Sequence, residues 1–445
     1  MRIPKRHEKA PLETRGSTDI PRMTLLPDLP PERERSIGIL FAVIGGLIAP
    51  LMPFVSRAPT VLALAAAIGG VILLWRRGVR PAVPDRRLLW ILAGLLTWAG
   101  LSAFWAIDAL EALASTAKLA GNLSLGIALV AIAEKVNPAE ARLAGKMLAA
   151  GCILTMVFMV IELLNGAPAS ALIVAPQFDA DHFAFELQTY GAYWFNAAIS
   201  LLSLMVWPLL ANGYRLPAAI RGILPIAVAW LAHVIGFSAG TLALVAGVFS
   251  ALLVWRCGLW GKRLIAALLA SGILIAPLLP QTILNPERMS EMSNIVPTYD
   301  LPRFYIWAFA ADRIAEHPIL GWGMNASRSM PGGKERIVDH IRDKTFGERM
   351  PLHPHNIALQ VWLELGLIGA VLLAGLAAYL ILHNTAPPRT PRIAAAAVGL
   401  TITAGFQFAL SYSAWQSWWL TSVFLAAAFL TISARTIQVS TYRIL

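Results

Sequence analysis

NIALQVWLELGLIGAVLLAGLAAYLILH, residues 356–383, contains a single carboxyl side chain, Glu364, in an otherwise apolar run. Each helical residue adds about 1.5 Å, so a run of this length exceeds the roughly 30 Å of a bilayer's hydrocarbon core. Working outward, comparable runs recur at 37–55, 60–75, 88–106, 115–133, 143–164, 189–211, 218–235, 239–255, 264–281, 393–411 and 416–434. The seventh and eighth are separated only by the turn signal Gly236-Phe237-Ser238-Ala239-Gly240. Hydrophobic residues make up 57% of the 445-residue chain and charged ones 14%, against roughly a quarter charged in soluble domains. One soluble core stops growing well before it would hide so many apolar segments. The expected fold is an all-α integral membrane protein of about twelve transmembrane helices, with a large helical outer loop before the tenth.

The net charge of +11 resembles that of a nucleic-acid binder until the charges are located. With the N-terminal tail inside, the inner connections hold Arg76, Arg77, Arg80, Arg86 and Arg87, then Lys135, Arg142 and Lys146, then Arg215 and Arg221, then Arg256, Lys262 and Arg263. Arg389, Arg392, Arg435 and Arg443 complete the set, while the short outer connections hold Arg57 among the acids Asp108, Glu111, Asp179, Asp181 and Glu186. This is the positive-inside pattern, and it excludes a nucleic-acid partner as the reason for the charge. It predicts a multi-pass protein of an energised membrane, read as the bacterial inner membrane, with both termini cytoplasmic. Residues 1–35, rich in Pro, Arg and Glu, are expected to be a disordered tail, and the first apolar run an uncleaved signal anchor. Residues 36–281 then form a nine-helix membrane region, 282–354 a periplasmic loop, 355–434 three further spans and 435–445 a cytoplasmic tail. Cys152 and Cys257 lack metal-ligand spacing and read as structural.

Loop 282–354 is long enough that it is expected to fold back over the membrane face. Asp300-Leu301-Pro302 predicts an N-cap and first turn, with a helix running through Phe304, Trp307, Phe309 and Ile314 and stopping before Pro318. A second short helix is expected over Lys334–Lys344. The lesser outer segment 165–188, with Phe178, His182 and Phe183, is expected in the interface. Apart from Lys146 and Arg221 at inner ends, the charged residues within the spans are Lys118, Glu162 and Glu364; Lys118 and Glu162 read as side chains snorkelling at outer ends. No chain of ionisable groups crosses the bilayer and no pair of broken-helix repeats is visible, which counts against a transporter or flippase, the alternative reading. A non-catalytic scaffold is the third reading.

The polar chemistry is concentrated in the outer loop: Arg288, Arg303, Arg313, Arg328, Arg336, Arg342 and Arg349, then His353-Pro354-His355-Asn356. Guanidinium groups offer forked, permanently charged donors for phosphate oxygens, and a histidine at the mouth of such a site accepts a proton near neutral pH. Composition alone favours the plainer view that these arginines solvate the loop and pair with its nine Asp and Glu residues.

His355-Asn356 is followed by nine residues and then Gly366-Leu367-Ile368-Gly369. This spacing resembles the O-antigen ligase and polysaccharide polymerase superfamily, as do RFYIW (303–307) and EHPILGWGMN (316–325). The resemblance implies a membrane glycosyltransferase. It would take a glycan from an undecaprenyl-diphosphate donor at the periplasmic face and join it to lipid A-core, or to a growing polysaccharide if a polymerase. It implies His355 as the base that deprotonates the acceptor hydroxyl, with His353 the alternative. Asn356 would orient the histidine or the acceptor. Arg303 would hold the diphosphate, with Arg288, Arg328 and Arg349 as further candidates. Guanidinium charge standing where soluble transferases use a metal implies no metal and no cofactor. The glycines at 366 and 369 are expected to admit a neighbouring helix. Glu364, about 14 Å deeper than His355 and half a turn off its face, reads as a packing or helix-pairing residue. Where many members of the superfamily carry an arginine in an outer turn, this chain has Ser238-Ala239-Gly240-Thr241, so a second clamp would come from elsewhere, with Arg288 the candidate.

Overall fold

A computed structural model describes residues 31–173, 180–190, 192–211, 214, 216–291, 301–383 and 390–442. Most of the expected tail (residues 1–30), Phe178 of the interfacial segment and the expected N-cap Asp300 lie outside the described residues. The chain opens with α1 (Pro31–Leu51), α2 (Ala58–Arg76), α3 (Arg86–Leu101), α4 (Ala109–Ala133) and α5 (Pro138–Leu164). Two short helices follow, α6 (Pro168–Ile173) and α7 (Ala180–Tyr190), then α8 (Asn196–Leu210), α9 (Ala218–Val234) and α10 (Ser238–Ile275). The starts are set locally. The carboxyl of Asp108 accepts from Glu111 N at 3.0 Å, and Asn137 caps Ala139 N at 2.9 Å ahead of Pro138.

Among the described residues nine helices are long and apolar enough to cross a membrane, and Ile37–Leu51 and Ala218–Val234 are shorter apolar ones. The chain is a multi-pass, all-α membrane protein. The turn expected at residues 236–240 separates α9 from α10. The runs 239–255 and 264–281 are joined instead in α10, which is broken at Gly258 (φ 53°, ψ −123°). The two expected spans are thus two helices that meet at this break, within the charged connection of Arg256, Lys262 and Arg263. In lipid, where apolar burial gives helices no preference for one another, close backbone approach holds them together. Where α1 crosses α5, a Cβ on Gly151 would lie 2.9 Å from the carbonyl oxygens of both Gly45 and Gly46.

After α10 the chain forms α11 (Leu278–Thr282), α12 (Pro286–Glu291) and α13 (Leu301–Glu316), and then, past a hairpin, α14 (Ile357–His383), α15 (Pro391–Leu410) and α16 (Ser417–Tyr442). Helix α13 runs as the sequence predicts and ends before Pro318. Its Ile306, Trp307, Phe309 and Ile314 pack with Met330, Ile337 and Met350 onto Leu359, Trp362 and Leu363 of α14. The loop is thus folded down on the first turns of a membrane helix. The helix expected over 334–344 is instead an antiparallel pair, β1 (Arg336–Asp339) and β2 (Lys344–Glu348). Burial alternates residue by residue along Arg336, Ile337, Val338 and Asp339, a period of two that helix propensity alone does not register. Asp339 then turns the chain by accepting from Ile341 N and Arg342 N at 3.0 and 3.2 Å.

Glu162 does not snorkel. It is buried, and its carboxyl accepts from Ala169 N, Ser170 N and Ser170 Oγ at 3.2, 2.8 and 2.8 Å, capping α6. Lys118 is exposed on α4. Cys152 is buried and Cys257 exposed.

Candidate active site

Three segments meet at the N-terminal end of α14. Residues 350–356 bring the histidines, α13 and the 3-10 turn Ala326–Ser329 bring Arg303 and Arg328, and the turn 411–416 closes the site from between α15 and α16. His355 has φ +53°, a conformation non-glycine residues rarely hold and one that costs about 1–3 kcal/mol. Its surroundings enforce it. Trp307 Nε1 donates to the Pro354 carbonyl at 2.9 Å, and His355 N donates to His353 Nδ1 at 3.1 Å. Asn356 Oδ1 accepts from Ala358 N and Leu359 N at 3.0 and 3.1 Å. Asn356 is therefore the N-cap of α14, with its amide oxygen committed to the helix end.

These bonds also fix the proton on each ring. His355 Nδ1 lies 2.9 Å from the Ser411 carbonyl oxygen. A carbonyl only accepts, so Nδ1 carries the hydrogen and the lone pair is on Nε2. His353 is the reverse: Nδ1 accepts from a backbone N–H, which places its proton on Nε2. The rings sit 4.3 Å apart between centroids. Burial, reinforced by the neighbouring His355 and by Arg328, pushes His353 down to about 3. Burial also holds His355 below the ordinary 6.5; the Arg303 charge adds to this, and the Ser411 carbonyl opposes it.

Arg303 and Arg328 are thus the two guanidiniums whose charge reaches the imidazoles. The other two candidate arginines stand apart from the histidine pair. Arg288 directs Nη1 to the Thr282 carbonyl at 3.4 Å, within its own segment. Arg349 pairs with Glu335 at 2.9 Å and lies 5.4 Å over the Phe309 ring, so the loop's own acids and aromatics occupy it, as composition alone had favoured.

The glycine block works differently from the expected helix crossing. Gly366 has φ 64° and ψ −162°, breaking α14. A Cβ there would strike the Ile319 carbonyl and come within 2.7 Å of Gly321 N. The neighbour it admits is the backbone of 318–323, which bonds into the break: Trp322 N to Leu363 O and Gly323 N to Glu364 O, both at 2.8 Å, and Leu367 N to Pro318 O at 2.9 Å. The glycines of EHPILGWG and of GLIG are therefore two sides of one contact. Gly369 meets only its own helix, at Leu365 and Val361.

The Ser411 carbonyl was beyond sequence reading, since a backbone group carries no signature. Gln360 and Trp415, which bind the Glu364 carboxyl, were also missed. A polar residue four positions before the lone carboxyl of a span was the available signal.

Residues 224–374 match the family model described as O-antigen ligase. Among curated proteins, the chain is 28% identical over 270 residues to a Rickettsia conorii protein named "Putative polysaccharide ligase", covering 58% of this chain and 63% of that one. Proteins with the same designation in Rickettsia prowazekii and Rickettsia felis are 29% and 30% identical over 241 and 243 residues, each covered to 57%. The matches thus span less than two thirds of these relatives. Residues 224–374, which carry both histidines and the arginines around them, are therefore the part of the chain that is similar to the O-antigen ligase family.

Proposed function

We propose that the chain is a membrane glycosyltransferase that moves a glycan from undecaprenyl diphosphate to a hydroxyl acceptor at the periplasmic face of the bacterial inner membrane. The observation that carries this reading is the His355 ring, with Nδ1–H held by the Ser411 carbonyl and Nε2 left as a base beside the Arg303 charge. The acceptor hydroxyl gives its proton to Nε2, and its oxygen attacks the anomeric carbon in line. The bond from that carbon to the diphosphate oxygen breaks, and the electron pair leaves with the diphosphate. Arg303 and Arg328 stabilise the charge that develops there. His353, with its Nδ1 already accepting a backbone N–H, is a donor and not the base. The relatives named as putative polysaccharide ligases support a ligase reading, for which the proposed acceptor is lipid A-core, with a growing polysaccharide as acceptor if the chain is a polymerase. The arginine-rich inner connections support cytoplasmic termini.

The test is transfer by the purified full-length protein in nanodiscs, given an undecaprenyl-diphosphate-linked glycan and lipid A-core. Capped lipid A-core marks a ligase and a longer lipid-linked chain a polymerase. Transfer is expected to survive a chelator, and loss of turnover to EDTA alone argues against the arginine clamp.

The pH profile follows from the sign of the His355 shift. The competent form is the neutral ring, populated above its pKa, and that pKa lies below 6.5. Turnover is expected to rise with pH through a midpoint below 6.5 and to be level through neutrality. Arg303→Ala removes one cause of the depression, so the midpoint should move up as KM rises. Arg349→Ala should change neither, because its guanidinium is spent on Glu335 and Phe309. A profile for Arg303→Ala that overlays the wild type removes Arg303 from the site.

A further inference from the structure

Glu364 is fully buried within a membrane helix, yet its carboxyl takes part in no step of the reaction. Both its oxygens are doubly bonded. Oε1 accepts from Ser327 Oγ at 2.6 Å and Gln360 Nε2 at 3.1 Å, and Oε2 from Trp415 Nε1 at 2.6 Å and Asn325 N at 2.8 Å. Three of these four partners can only donate. The Gln360 amide orientation is fixed from its other side, where Oε1 accepts from Ala414 N at 3.0 Å. The indole and the backbone N–H have no other polarity.

What matters is where these donors come from. Asn325 and Ser327 lead directly into Arg328. Gln360 also bonds Ser413 Oγ at 3.1 Å, so Ser413, Ala414 and Trp415 are all tied to α14. Ser411, whose carbonyl sets the His355 tautomer, stands at the head of that turn. Asn325 itself is left-handed at φ 63°, and its Nδ2 is held by Glu111 at 2.7 Å. One carboxyl thus collects the turn that orients the base and the loop that bears a guanidinium. A neutral apolar side chain would leave four donors unsatisfied in a low-dielectric interior, each free to pull its segment elsewhere.

We infer that Glu364 is a positioning residue: through Trp415 and Gln360 it fixes the Ser411 carbonyl against His355, and through Asn325 and Ser327 it fixes the Arg328 loop. This rests on the reading of His355 as the base, and the test separates the two. Glu364→Gln keeps the shape but puts an amide N–H against groups that only donate. Full-length protein labelled with ¹⁵N-histidine in nanodiscs reports the His355 tautomer directly, with a His355→Asn sample assigning the signal. In the wild type the ring is expected to be the Nδ1–H form alone. In Glu364→Gln it is expected to be a mixture of tautomers, with the glycan-transfer kcat down about 10- to 100-fold, KM nearly unchanged and the helical circular dichroism retained. A pure Nδ1–H signal with wild-type kcat overturns the inference and leaves Glu364 a packing residue. A mixed tautomer with wild-type kcat upholds the positioning role and sinks His355 as the base. Should Glu364→Gln not accumulate, Trp415→Phe, which deletes one donor and little volume, is read by the same two measurements.

Discussion

His355→Ala is expected to abolish surface polysaccharide in a deletion strain complemented with the variant, while the protein accumulates in the membrane at the wild-type level. A positioned general base contributes about 10²- to 10⁴-fold, enough to remove a gel ladder. The alanine variant alone is ambiguous, because position 355 sits at φ +53°, a conformation that alanine enters less readily than histidine. His355→Asn resolves the ambiguity. Asparagine enters left-handed conformations more readily than most residues and retains hydrogen-bonding capacity toward Ser411, but it has no base of useful strength. If loss of the imidazole is the cause, the asparagine variant is as silent as the alanine one while unfolding at the wild-type temperature. A normal polysaccharide ladder from either variant, at normal protein level, removes His355 from the chemistry. His353→Ala should behave differently: it deletes the acceptor of the His355 backbone N–H and is expected to slow turnover without silencing it.

The largest effect on the folded state is expected from Gly366→Ala. The backbone there, φ 64° and ψ −162°, lies in a region open essentially to glycine alone. An added methyl would also meet the Ile319 carbonyl and Gly321 N, and Gly321 N is already committed to the His317 carbonyl at 3.0 Å. Neither side can yield without expelling residues 318–323 from the break in α14. Strain and lost bonds together should cost about 3 kcal/mol or more, seen as a large drop in the unfolding temperature in detergent and poor accumulation. Gly375→Ala is the matched control, nine residues along the same helix and facing open space. It should be neutral or slightly stabilising, since alanine is the better helix former. An unfolding temperature for Gly366→Ala equal to that of Gly375→Ala would show that α14 can close its ladder without the inserted loop.

The sequence was most legible where one physical rule acts alone. Length and apolarity placed the membrane helices, and the proline rules bounded α13 at both ends of its run. His355 and Arg303 stood out from the other histidines and arginines of the loop only through the resemblance carried by residues 303–307, 316–325 and 355–369. Legibility failed where a group's partner lies far along the chain. Arg349 and Arg303 are the same residue type in the same loop, and only the three-dimensional positions of Glu335 and Phe309 show that the loop itself holds Arg349. Asn356 sits beside the histidine in sequence but belongs to the helix end. Residues 334–344 carry charges compatible with a helix, while their alternating burial exists only once α13 and α14 supply a surface to pack on. Glu364 was visible as an anomaly, a lone carboxyl in lipid, but its four donors come from three separate segments.

The carbonyl that orients His355 belongs to a residue 56 positions later, beyond the 224–374 stretch that matches the family model. During synthesis the imidazole emerges first and waits, its tautomer unassigned, until α15 and α16 have entered the membrane behind it. On the proposed function, the base is oriented only once the turn that follows α15 has docked against it, so that activity itself reports completed assembly.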